Sequence, residues 1–462
     1  MPSYCHWYNL DVDLVSTDTI CALATPPGRG GIGIIRISGP TAIDIGDALT
    51  HRKWRHRRPR TLTRSVIVDT AGDPIDDVLI AVFHAPNSYT GDDVVEIHAH
   101  GGPIPLRRIL AELYSLGARQ AGPGEFTQRA FLNGKLDLAQ AEAVADVIEA
   151  DTVEAHRLAL GQQSGRLSRT VEEIRDTILG VLARIEASID FPEDVGELDV
   201  AVCRNEILSA QAMVDRLLAT ADTGILYREG IKVVLAGRPN VGKSSLMNAI
   251  LRTERAIVTP IPGTTRDLIE EGANIGGVRI RIVDTAGVRE TTDAVEKIGV
   301  DRTRASIDTA DLTIFVIDST VGRTHEDVAI LNGIPGKSVI EVWNKADIAG
   351  DAATPVNAIQ VSALTGDGIE NLEAAIVKTA TQGQTVAIDS QGAVVTHSRH
   401  RHALRSARTH LDEGLATINQ NLPADFISID VRGALVALGE ITGATATDDI
   451  INEIFSRFCI GK

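Results

Sequence analysis

Hydrophobic residues along this chain follow three different spacings, and each spacing predicts a different kind of structure. From about residue 17 to 130, short β-branched runs such as GIGIIRISG and DVLIAVFHA alternate with Gly and Pro turn signals. From there to about 225, apolar residues recur at helical spacing, as in VEEIRDTILGVLARIEASID. From 231, apolar strands such as IKVVLAG and LTIFVID alternate with helical segments, which predicts a parallel sheet covered on both faces. Helical spacing returns after about 380.

These changes of spacing predict a multidomain fold. An α+β domain is expected over residues 17–133, and an α/β domain over 230–379. The α/β domain is inserted into a discontinuous helical domain, whose two halves are residues 134–229 and 380–462. Residues 1–16 are expected to be a disordered extension.

Composition and charge exclude several classes of protein. Of the 462 residues, 44% are hydrophobic and 23% are charged, and no uninterrupted apolar run approaches the length of a membrane span. The first 28 residues contain no Lys or Arg, so secretory and transit signals are excluded and a cytoplasmic location without membrane contact is expected. A net charge of −17 opposes strong non-specific binding to nucleic acid. We interpret the basic run HRKWRHRRPR (51–60), which contains Trp54, as a solvated loop.

Cysteines and histidines favour structural roles over a metal centre. No CxxC pair occurs, which predicts reduced thiols and excludes a zinc ribbon. The four widely spaced cysteines are Cys5, Cys21, Cys203 and Cys459. His98 and His100, in DVVEIHAHGG, share one face of a predicted strand. No third ligand lies nearby in the sequence, so packing or hydrogen bonding is favoured over metal binding.

A phosphate-binding motif follows the first strand of the α/β domain. GRPNVGKSS matches G-x-x-x-x-G-K-S over residues 237–244, between the strand IKVVLA and a helix. Its backbone N–H groups and Lys243 suit phosphate oxygens, and the Ser244 hydroxyl suits Mg²⁺. The candidate phosphate-contacting residues are Asn240, Val241, Gly242, Lys243, Ser244 and Ser245.

Three further motifs follow in order and predict that the nucleotide is GTP. PGTTRD (262–267) offers one threonine hydroxyl to complete the Mg²⁺ shell, and DTAG (284–287) suits a water-linked Mg²⁺ and the γ-phosphate. In NKAD (344–347), the Asp347 carboxylate accepts from guanine N1–H and the 2-amino group, both absent from adenine. SAL (362–364) is placed to donate a backbone N–H to guanine O6. The candidates are Thr264, Thr265, Asp284, Thr285, Ala286, Gly287, Asn344, Lys345, Asp347, Ser362 and Ala363.

The residue after DTAG indicates unusual chemistry. Ras-like enzymes carry a glutamine there to orient the attacking water, whereas this chain has Val288. Either hydrolysis is very slow or the chemistry is organised differently. The Asn240 amide oxygen suits a monovalent cation that could neutralise charge in the transition state. Three groups of RETTDAVEKIG could orient water directly or through a second water, namely Arg289, Glu290 and Glu296.

Motifs over nearly the whole chain from about residue 17 resemble those of the MnmE/TrmE family of tRNA wobble-uridine modification GTPases. In family order they are DTICALATPPGRGGIGIIRISG, NSYTGDDVVEIHAHGGP, PGEFTQRAFLNGKLDLAQAEAVADVI, GRPNVGKSSLMNAI, TPIPGTTRD, DTAGVRETTDAVEKIG and FCIGK. The resemblance implies a tetrahydrofolate-binding-like α+β domain, a split helical domain and an inserted Ras-like P-loop GTPase domain. Residues 1–16 have no family counterpart, and SAL replaces a commoner basic third position, which should alter base stacking only slightly.

The resemblance also implies the ligands of two sites. Residues implied to contact 5-formyltetrahydrofolate, or a related one-carbon folate, are Arg36, Glu96, Lys135 and Lys462. Those implied for K⁺ are Asn240, the backbones of Thr259 and Ile261, and Thr264. Those implied for Mg²⁺ are Ser244 and Thr265. Glu296 would position water when two GTPase domains meet face to face.

Partners follow from the same resemblance. It implies a homodimer through the N-terminal domains, and a heterotetramer with an FAD-dependent protein of the MnmG/GidA type. Together these would add a carboxymethylaminomethyl group at C5 of the tRNA wobble uridine. A ribosome-assembly GTPase of the Era/Der type is a weaker alternative, because no GXXG clamp with basic flanks follows residue 380. A slow switch acting by conformation alone is allowed by Val288 but opposed by Asn240 and Glu296.

The segment FCIGK raises a separate question about Cys459. Lys462 in the last position of a Cys-a-a-X pattern does not match the usual prenylation preferences, so a lipid anchor is not expected. We expect this segment to reach the folate pocket, where the Lys462 ammonium could pair with a folate carboxylate. For Cys459 a small buried thiol is favoured over a nucleophile.

Overall fold

A computed structural model of the chain describes residues 18–69, 71–253, 270–284, 310–334, 338–349, 355, 358–381, 383 and 392–462. They divide into two compact units. The first unit contains residues 18–145 and 435–462, and the second contains the described residues of 146–434.

The elements are numbered here in chain order. The strands are β1 (Ile20–Leu23), β2 (Ile32–Ser38), β3 (Thr63–Val68), β4 (Pro74–Phe83), β5 (Val94–His100), β6 (Arg119–Gln120), β7 (Ile231–Ala236), β8 (Glu270–Ile275), β9 (Val278–Asp284), β10 (Leu312–Asp318), β11 (Ser338–Asn344) and β12 (Ile359–Gln360). The helices up to the inserted sheet are α1 (Ala42–Thr50), α2 (Pro103–Ser115), α3 (Glu125–Leu132), α4 (Leu138–Glu149), α5 (Val153–Gln163), α6 (Arg166–Asp190), α7 (Pro192–Val195) and α8 (Val200–Glu229). The later helices are α9 (Lys243–Thr253), α10 (His325–Asn332), α11 (Ile369–Ala380), α12 (Ser398–Asn419), α13 (Ala424–Thr442) and α14 (Asp448–Ser456).

The sheet of the first unit has one apolar face and one face that carries charge. Its strand order is β3-β4-β5-β2-β1-β6, and all neighbours are antiparallel except β1 and β6. Ile35 and Ile37 of β2 pack in a core with residues of α1 and α2. Side chains alternate along a strand, so Arg36 lies on the opposite face. It is directly across from Glu96 of β5.

Trp54 is part of the core of the first unit, although the surrounding basic run is exposed. Its side chain is 1% exposed and packs with α1 residues such as Ile43. The indole Nε1 donates to Thr50 Oγ1 at 2.7 Å. Arg52 and Lys53 are exposed. The interpretation of this run as a solvated loop is therefore wrong for Trp54, because the indole covers the end of α1.

Residues 459–462 are attached to the first unit by backbone hydrogen bonds. The Phe126 N–H donates to the Lys462 carbonyl at 3.1 Å, and Pro123 forms an antiparallel bridge with Ile460. Phe458 and Gly461 are buried, whereas Cys459 is exposed. The expectation of a buried Cys459 thiol is therefore wrong, because the residues beside it occupy the packed positions.

The second unit contains the predicted parallel sheet. Its strand order is β12-β11-β10-β7-β9-β8, and only β8 runs antiparallel to its neighbour. Val233 and Leu235 of β7 join a core with α9 and α11, and Val234 and Ala236 join a second core with α10. Alternate residues of one strand thus face two helical layers, which confirms the predicted α/β arrangement.

Helices from before and after the inserted sheet pack together in the second unit. α8 contacts both α6 and α12. Gly224 of α8 allows a close approach of the chain just before α12, since a Cβ there would lie 2.2 Å from the Val395 carbonyl oxygen. The Asp146 carboxylate accepts from Arg228 Nε at 2.7 Å and lies 2.8 Å from His397 Nε2. The predicted discontinuous helical domain is confirmed.

Replacing Gly461 by Ala should detach residues 459–462 from the first unit. Gly461 has φ +97° and a Cβ there would lie 2.2 Å from the Leu23 carbonyl oxygen, so both strain and a backbone clash oppose the alanine. Hydrogen exchange of the Phe126 amide measures the attachment.

Gly134→Ala is the matched control. Gly134 has φ +65° but no atom within 4 Å of its would-be Cβ. It should cost only the strain of a left-handed backbone, about 1–3 kcal/mol. Equal protection of the Phe126 amide in both variants would contradict the prediction.

Candidate nucleotide and folate sites

The phosphate-binding loop joins β7 to α9 in a strained backbone conformation. Asn240 has φ 62° and Gly242 has φ 93°. Only glycine fits position 242, because a Cβ there would lie 2.3 Å from Asn344 Nδ2. The Lys243 ammonium donates to the carbonyls of Gly237 and Arg238 at 2.8 and 2.7 Å. These contacts hold the loop closed around its own lysine.

Two residues of NKAD, at the end of β11, hold the phosphate-binding loop. Asn344 is buried, and its Nδ2 donates to the Val241 carbonyl at 3.0 Å. Lys345, with φ 67°, donates through Nζ to the Asn240 carbonyl at 3.0 Å and to Asp318 Oδ2 at 2.6 Å. The motif predicted for the base therefore also positions the phosphate end of the site.

The base-recognition residues are assembled at the ends of β11 and β12. Ser362 is buried, and its hydroxyl donates to Asp347 Oδ1 at 2.7 Å. Asp347 itself is exposed. A backbone N–H of SAL (362–364) is predicted to donate to guanine O6, and in this structure the Ala363 N–H donates to Asn344 Oδ1 at 3.1 Å. One oxygen of the Asp347 carboxylate is thus oriented by a buried partner.

Asp318 is held ionised beside Lys345. Burial alone would raise the pKa of this carboxyl, but hydrogen bonds from Lys345 and Thr320 outweigh it and lower the pKa below its ordinary value. A carboxylate with a lowered pKa stabilises the folded site above its ordinary pKa, and this stabilisation is lost only as the pH falls through the lowered value. The Asp318–Lys345 pair is therefore intact at neutral pH.

Arg238 attaches the phosphate-binding loop to a third element. Its Nε donates to Asp327 Oδ1 at 2.9 Å, and Asp327 is 0% exposed. The other oxygen of Asp327 accepts from the N–H and hydroxyl of Thr324, both at 2.8 Å, which closes the capping box of α10. A buried carboxylate with all these partners fixes where the loop begins.

The charged face of the first unit gathers an arginine, a carboxylate and two aromatic rings. Arg36 donates to Glu96 Oε1 through Nε at 3.0 Å, and its NH2 lies 2.9 Å from the same oxygen. The Arg36 guanidinium carbon lies 5.5 Å from the Tyr89 ring centre and 5.7 Å from that of Phe126. Burial raises the pKa of Tyr89 despite its hydrogen bond to Thr127 and the charge of Arg36. Arg36 thus lies between the Glu96 carboxylate and two aromatic rings, of which Tyr89 is exposed and Phe126 is buried.

The two lysines implied for the folate are hydrogen-bonded to the segments that carry Tyr89 and Phe126. Lys135 Nζ donates to the Pro86 carbonyl at 2.9 Å, on the loop that carries Tyr89. Lys462 is joined through its main chain to Phe126. The structure thus brings Arg36 and Glu96 into contact and connects both lysines to their aromatic neighbours.

Several predicted site residues lie outside the described residues. They are Thr259, Ile261, Thr264, Thr265, Thr285, Ala286, Gly287, Arg289 and Glu296. Asp284 is described only as the last residue of β9. Within the described loop, Ser244 and Ser245 are exposed at the start of α9.

His98 and His100 have carboxylate neighbours. His100 Nδ1 lies 2.6 Å from Asp76 Oδ1, and His98 Nε2 lies 3.8 Å from Glu96 Oε2. The predicted hydrogen-bonding role is confirmed for His100. Among the residues that the structure describes, no group of three or more His, Cys, Asp or Glu could hold a metal. No helix within the described ranges has the length and hydrophobicity to cross a membrane.

Two family models match the chain. The GTP-binding protein TrmE N-terminus matches residues 19–135, and the MnmE helical domain matches residues 138–459. The chain belongs to the MnmE/TrmE family. It is therefore a GTP hydrolase of the tRNA-modification class, which decides against the Era/Der alternative.

Individual MnmE relatives match over nearly their whole length. The tRNA modification GTPase MnmE of Desulforamulus reducens is 45% identical over 460 residues, which cover 96% of this chain and 99% of the relative. That of Chloroflexus aurantiacus is 46% identical over 458 residues, which cover 96% of this chain and all of the relative.

Solved structures of Era and FeoB each match part of the chain. A single-residue variant of Aquifex aeolicus Era bound to GDP·AlF4⁻ is 30% identical, covers 39% of this chain and 66% of the Era chain, and has a TM-score of 0.28. The G domain of the T. maritima FeoB iron transporter is 29% identical, covers 32% of this chain and 98% of that domain, with a TM-score of 0.25.

Sequence reasoning missed several residues that shape both sites. Asp318 and Asp327 lie outside the four nucleotide motifs. Asp318 could have been noticed as the acidic residue that ends the apolar strand LTIFVID, whereas nothing local marks Asp327. Tyr89 and Phe126 stand within quoted motifs but were not singled out. Their roles come from contacts between distant segments, which spacing along the chain does not reveal.

Asp318→Asn should weaken GDP and GTP binding about tenfold, the loss expected when a charged hydrogen bond worth roughly 1.5–3 kcal/mol is weakened. Without the charge of Asp318, Lys345 is held less firmly against the Asn240 carbonyl. Dissociation of a fluorescent GDP analogue measures the effect. Asp311→Asn, at the other end of β10, is the control, because Asp311 accepts from the Lys232 N–H there. Equal dissociation rates in both variants would show that the pair does not support the site.

Proposed function

We propose that this chain is a K⁺-dependent GTPase that uses a one-carbon folate and an FAD-dependent partner to add a carboxymethylaminomethyl group to C5 of the tRNA wobble uridine. Hydrolysis occurs when two GTPase domains, residues 230–379, meet face to face. The α+β domain of residues 17–133 binds folate and forms the homodimer. The helical domain, residues 134–229 and 380–462, connects the two. The protein acts in the cytoplasm as a heterotetramer with its partner.

The observation that carries the cation role is the fixed backbone at Asn240. Its left-handed φ of 62° and the Lys345 hydrogen bond to its carbonyl hold this exposed residue in one conformation. A side-chain amide carried on this fixed main chain suits a monovalent cation, which supplies the positive charge that an arginine finger supplies elsewhere. Val288 stands where Ras-like enzymes carry a water-orienting glutamine, so a group other than the cation must position the attacking water.

The remaining ligand roles are proposed from the family motifs. Thr259, Ile261 and Thr264 complete the K⁺ site. Ser244 and Thr265 hold Mg²⁺, and Asp284 holds it through water. Glu296, with Arg289 nearby in sequence, positions the attacking water. The alternative of a slow switch is disfavoured by the preorganised Asn240.

The folate proposal is supported by the chemistry of the charged face. A carboxylate such as Glu96 accepts from the N–H edge of a pterin-like ring, and the exposed Tyr89 ring provides apolar surface beside it. The Lys462 ammonium suits a carboxylate of the same ligand. Lys135 holds the loop that carries Tyr89.

GTP hydrolysis should be far faster in K⁺ than in Na⁺. Asn240→Ala should remove this difference and lower kcat roughly a hundredfold, as loss of one preorganised charge-stabilising group does. GTP affinity should remain nearly unchanged. Steady-state phosphate release in the two salts measures the effect. Asn248→Ala, an exposed change on α9, is the control. Equal rates in K⁺ and Na⁺ for the unaltered protein would remove the cation role.

Lys462→Ala should weaken binding of 5-formyltetrahydrofolate about tenfold, because one charge-assisted contact is lost. Its main-chain bond to Phe126 is kept, so the attachment of the segment should persist. Calorimetric titration measures the affinity, and GTP hydrolysis should be unaffected. Arg457→Ala, an exposed cation near the same segment, is the control. Unchanged folate affinity in Lys462→Ala would contradict the assigned contact.

A further inference from the structure

A hairpin of the second unit lies, in sequence, between PGTTRD and DTAG, the two motifs predicted to contact Mg²⁺ and the γ-phosphate. β8 begins three residues after PGTTRD (262–267), and β9 ends at Asp284, the first residue of DTAG. The two strands are antiparallel and joined at Gly276 and Gly277, both with positive φ. A movement of either motif with the bound nucleotide would act directly on this hairpin.

Gly277, at the tip of the hairpin, contacts the helices, whereas its neighbour Gly276 is exposed. A Cβ on Gly277 would lie 2.6 Å from the carboxylate carbon of Glu154, in the first turn of α5. Arg279 of β9 forms an ion pair with Asp151, just before α5, at 2.8 Å. The Arg279 carbonyl also lies against Gly230, where α8 ends. The hairpin is thus attached to both the start of α5 and the end of α8.

Beside these contacts, a cavity lies between the hairpin and the helices. A cavity of about 270 Å³ is lined by Arg279 and Arg281 from the hairpin and by Asp146, Glu149 and Arg228 from the helices. Arg281 Nε is buried and has no hydrogen-bond partner among the described residues. A close-packed interface would resist displacement, whereas this one has space for the hairpin to shift.

We propose that the β8–β9 hairpin is the element that transmits the nucleotide state to the helical layer, with the Arg279–Asp151 ion pair as its coupling contact. A shift of the hairpin pulls on Asp151 and hence on the first turn of α5. The inference rests on the proposed function, because it requires a nucleotide-dependent GTPase domain. Arg279 and Asp151 are positioning residues, since they act through the hairpin rather than on GTP.

Hydrogen exchange on the full chain tests the proposal in three states: without nucleotide, with GDP, and with GDP plus aluminium fluoride in K⁺. Residues 237–244 report nucleotide binding, and residues 153–163 of α5 report coupling. In the unaltered protein both segments should respond to the nucleotide. Absence of a response at 237–244 would overturn the proposed function. A response at 237–244 with none at 153–163 would overturn the coupling role alone.

Arg279→Asp should keep the response at 237–244 and remove most of that at 153–163, because the ion pair that joins the hairpin to α5 is lost. The double variant Arg279→Asp with Asp151→Arg should restore it, since the ion pair is re-formed with reversed charges. Arg401→Asp is the matched control, because it breaks a 2.9 Å pair with Asp222 within the helical layer. It should leave both responses unchanged.

A less disruptive variant distinguishes a loss of coupling from a failure to fold. Arg279→Gln removes the charge without placing two carboxylates together. If Arg279→Asp fails to fold, Arg279→Gln should still show the selective loss at 153–163. A normal α5 response in Arg279→Gln, or in a folded Arg279→Asp, would overturn the proposal. Failure of the charge reversal to restore the response would do the same.

Discussion

The second unit depends on one buried carboxylate. The chain passes from the helices into the parallel sheet after Glu229, the last residue of α8, and returns to the helices just before α12. The two connecting segments must therefore be fixed to the same helices. Asp146 does this by pairing with Arg228 on one side and His397 on the other. Burial alone would raise the pKa of Asp146, but these hydrogen bonds outweigh it and hold the pKa below its ordinary value. An ionised group so placed is stable only while both partners are present.

The two sheets create binding surfaces in different ways. In the parallel sheet, Asp318 and Asn344 end neighbouring strands and the phosphate-binding loop follows β7, so the nucleotide residues gather at the carboxyl ends of the strands. In the other sheet, the candidate folate residues Arg36 and Glu96 lie opposite each other on adjacent antiparallel strands. The first set of residues is carried by loops that hydrogen bonds hold in place, whereas the second is built into the strands themselves.

Much of this architecture could be predicted from the sequence, because period-two and helical spacings reflect burial directly. The nucleotide motifs were found because their spacing is imposed by the phosphate. Trp54 was misjudged because its charged neighbours conceal a buried ring, and Cys459 because only the adjacent residues of its segment are packed. The burial of Asp146 cannot be predicted from the sequence, since its partners are distant along the chain and nothing local distinguishes it from a surface carboxylate. The spacing of residues along the sequence does not show which distant segments pair in the folded protein.

The attachment of residues 459–462 to residues 123–126 imposes an order on biosynthesis. The ribosome synthesises the strands β1–β6 and residues 123–126 early. Residues 459–462, which bond to residues 123–126, are synthesised only after the entire second unit has been translated. The Phe126 amide must therefore wait, bonded to water, while the intervening domains fold. A nascent chain can therefore fold the second unit, with its nucleotide-motif residues, before residues 459–462 form their hydrogen bonds with the first unit.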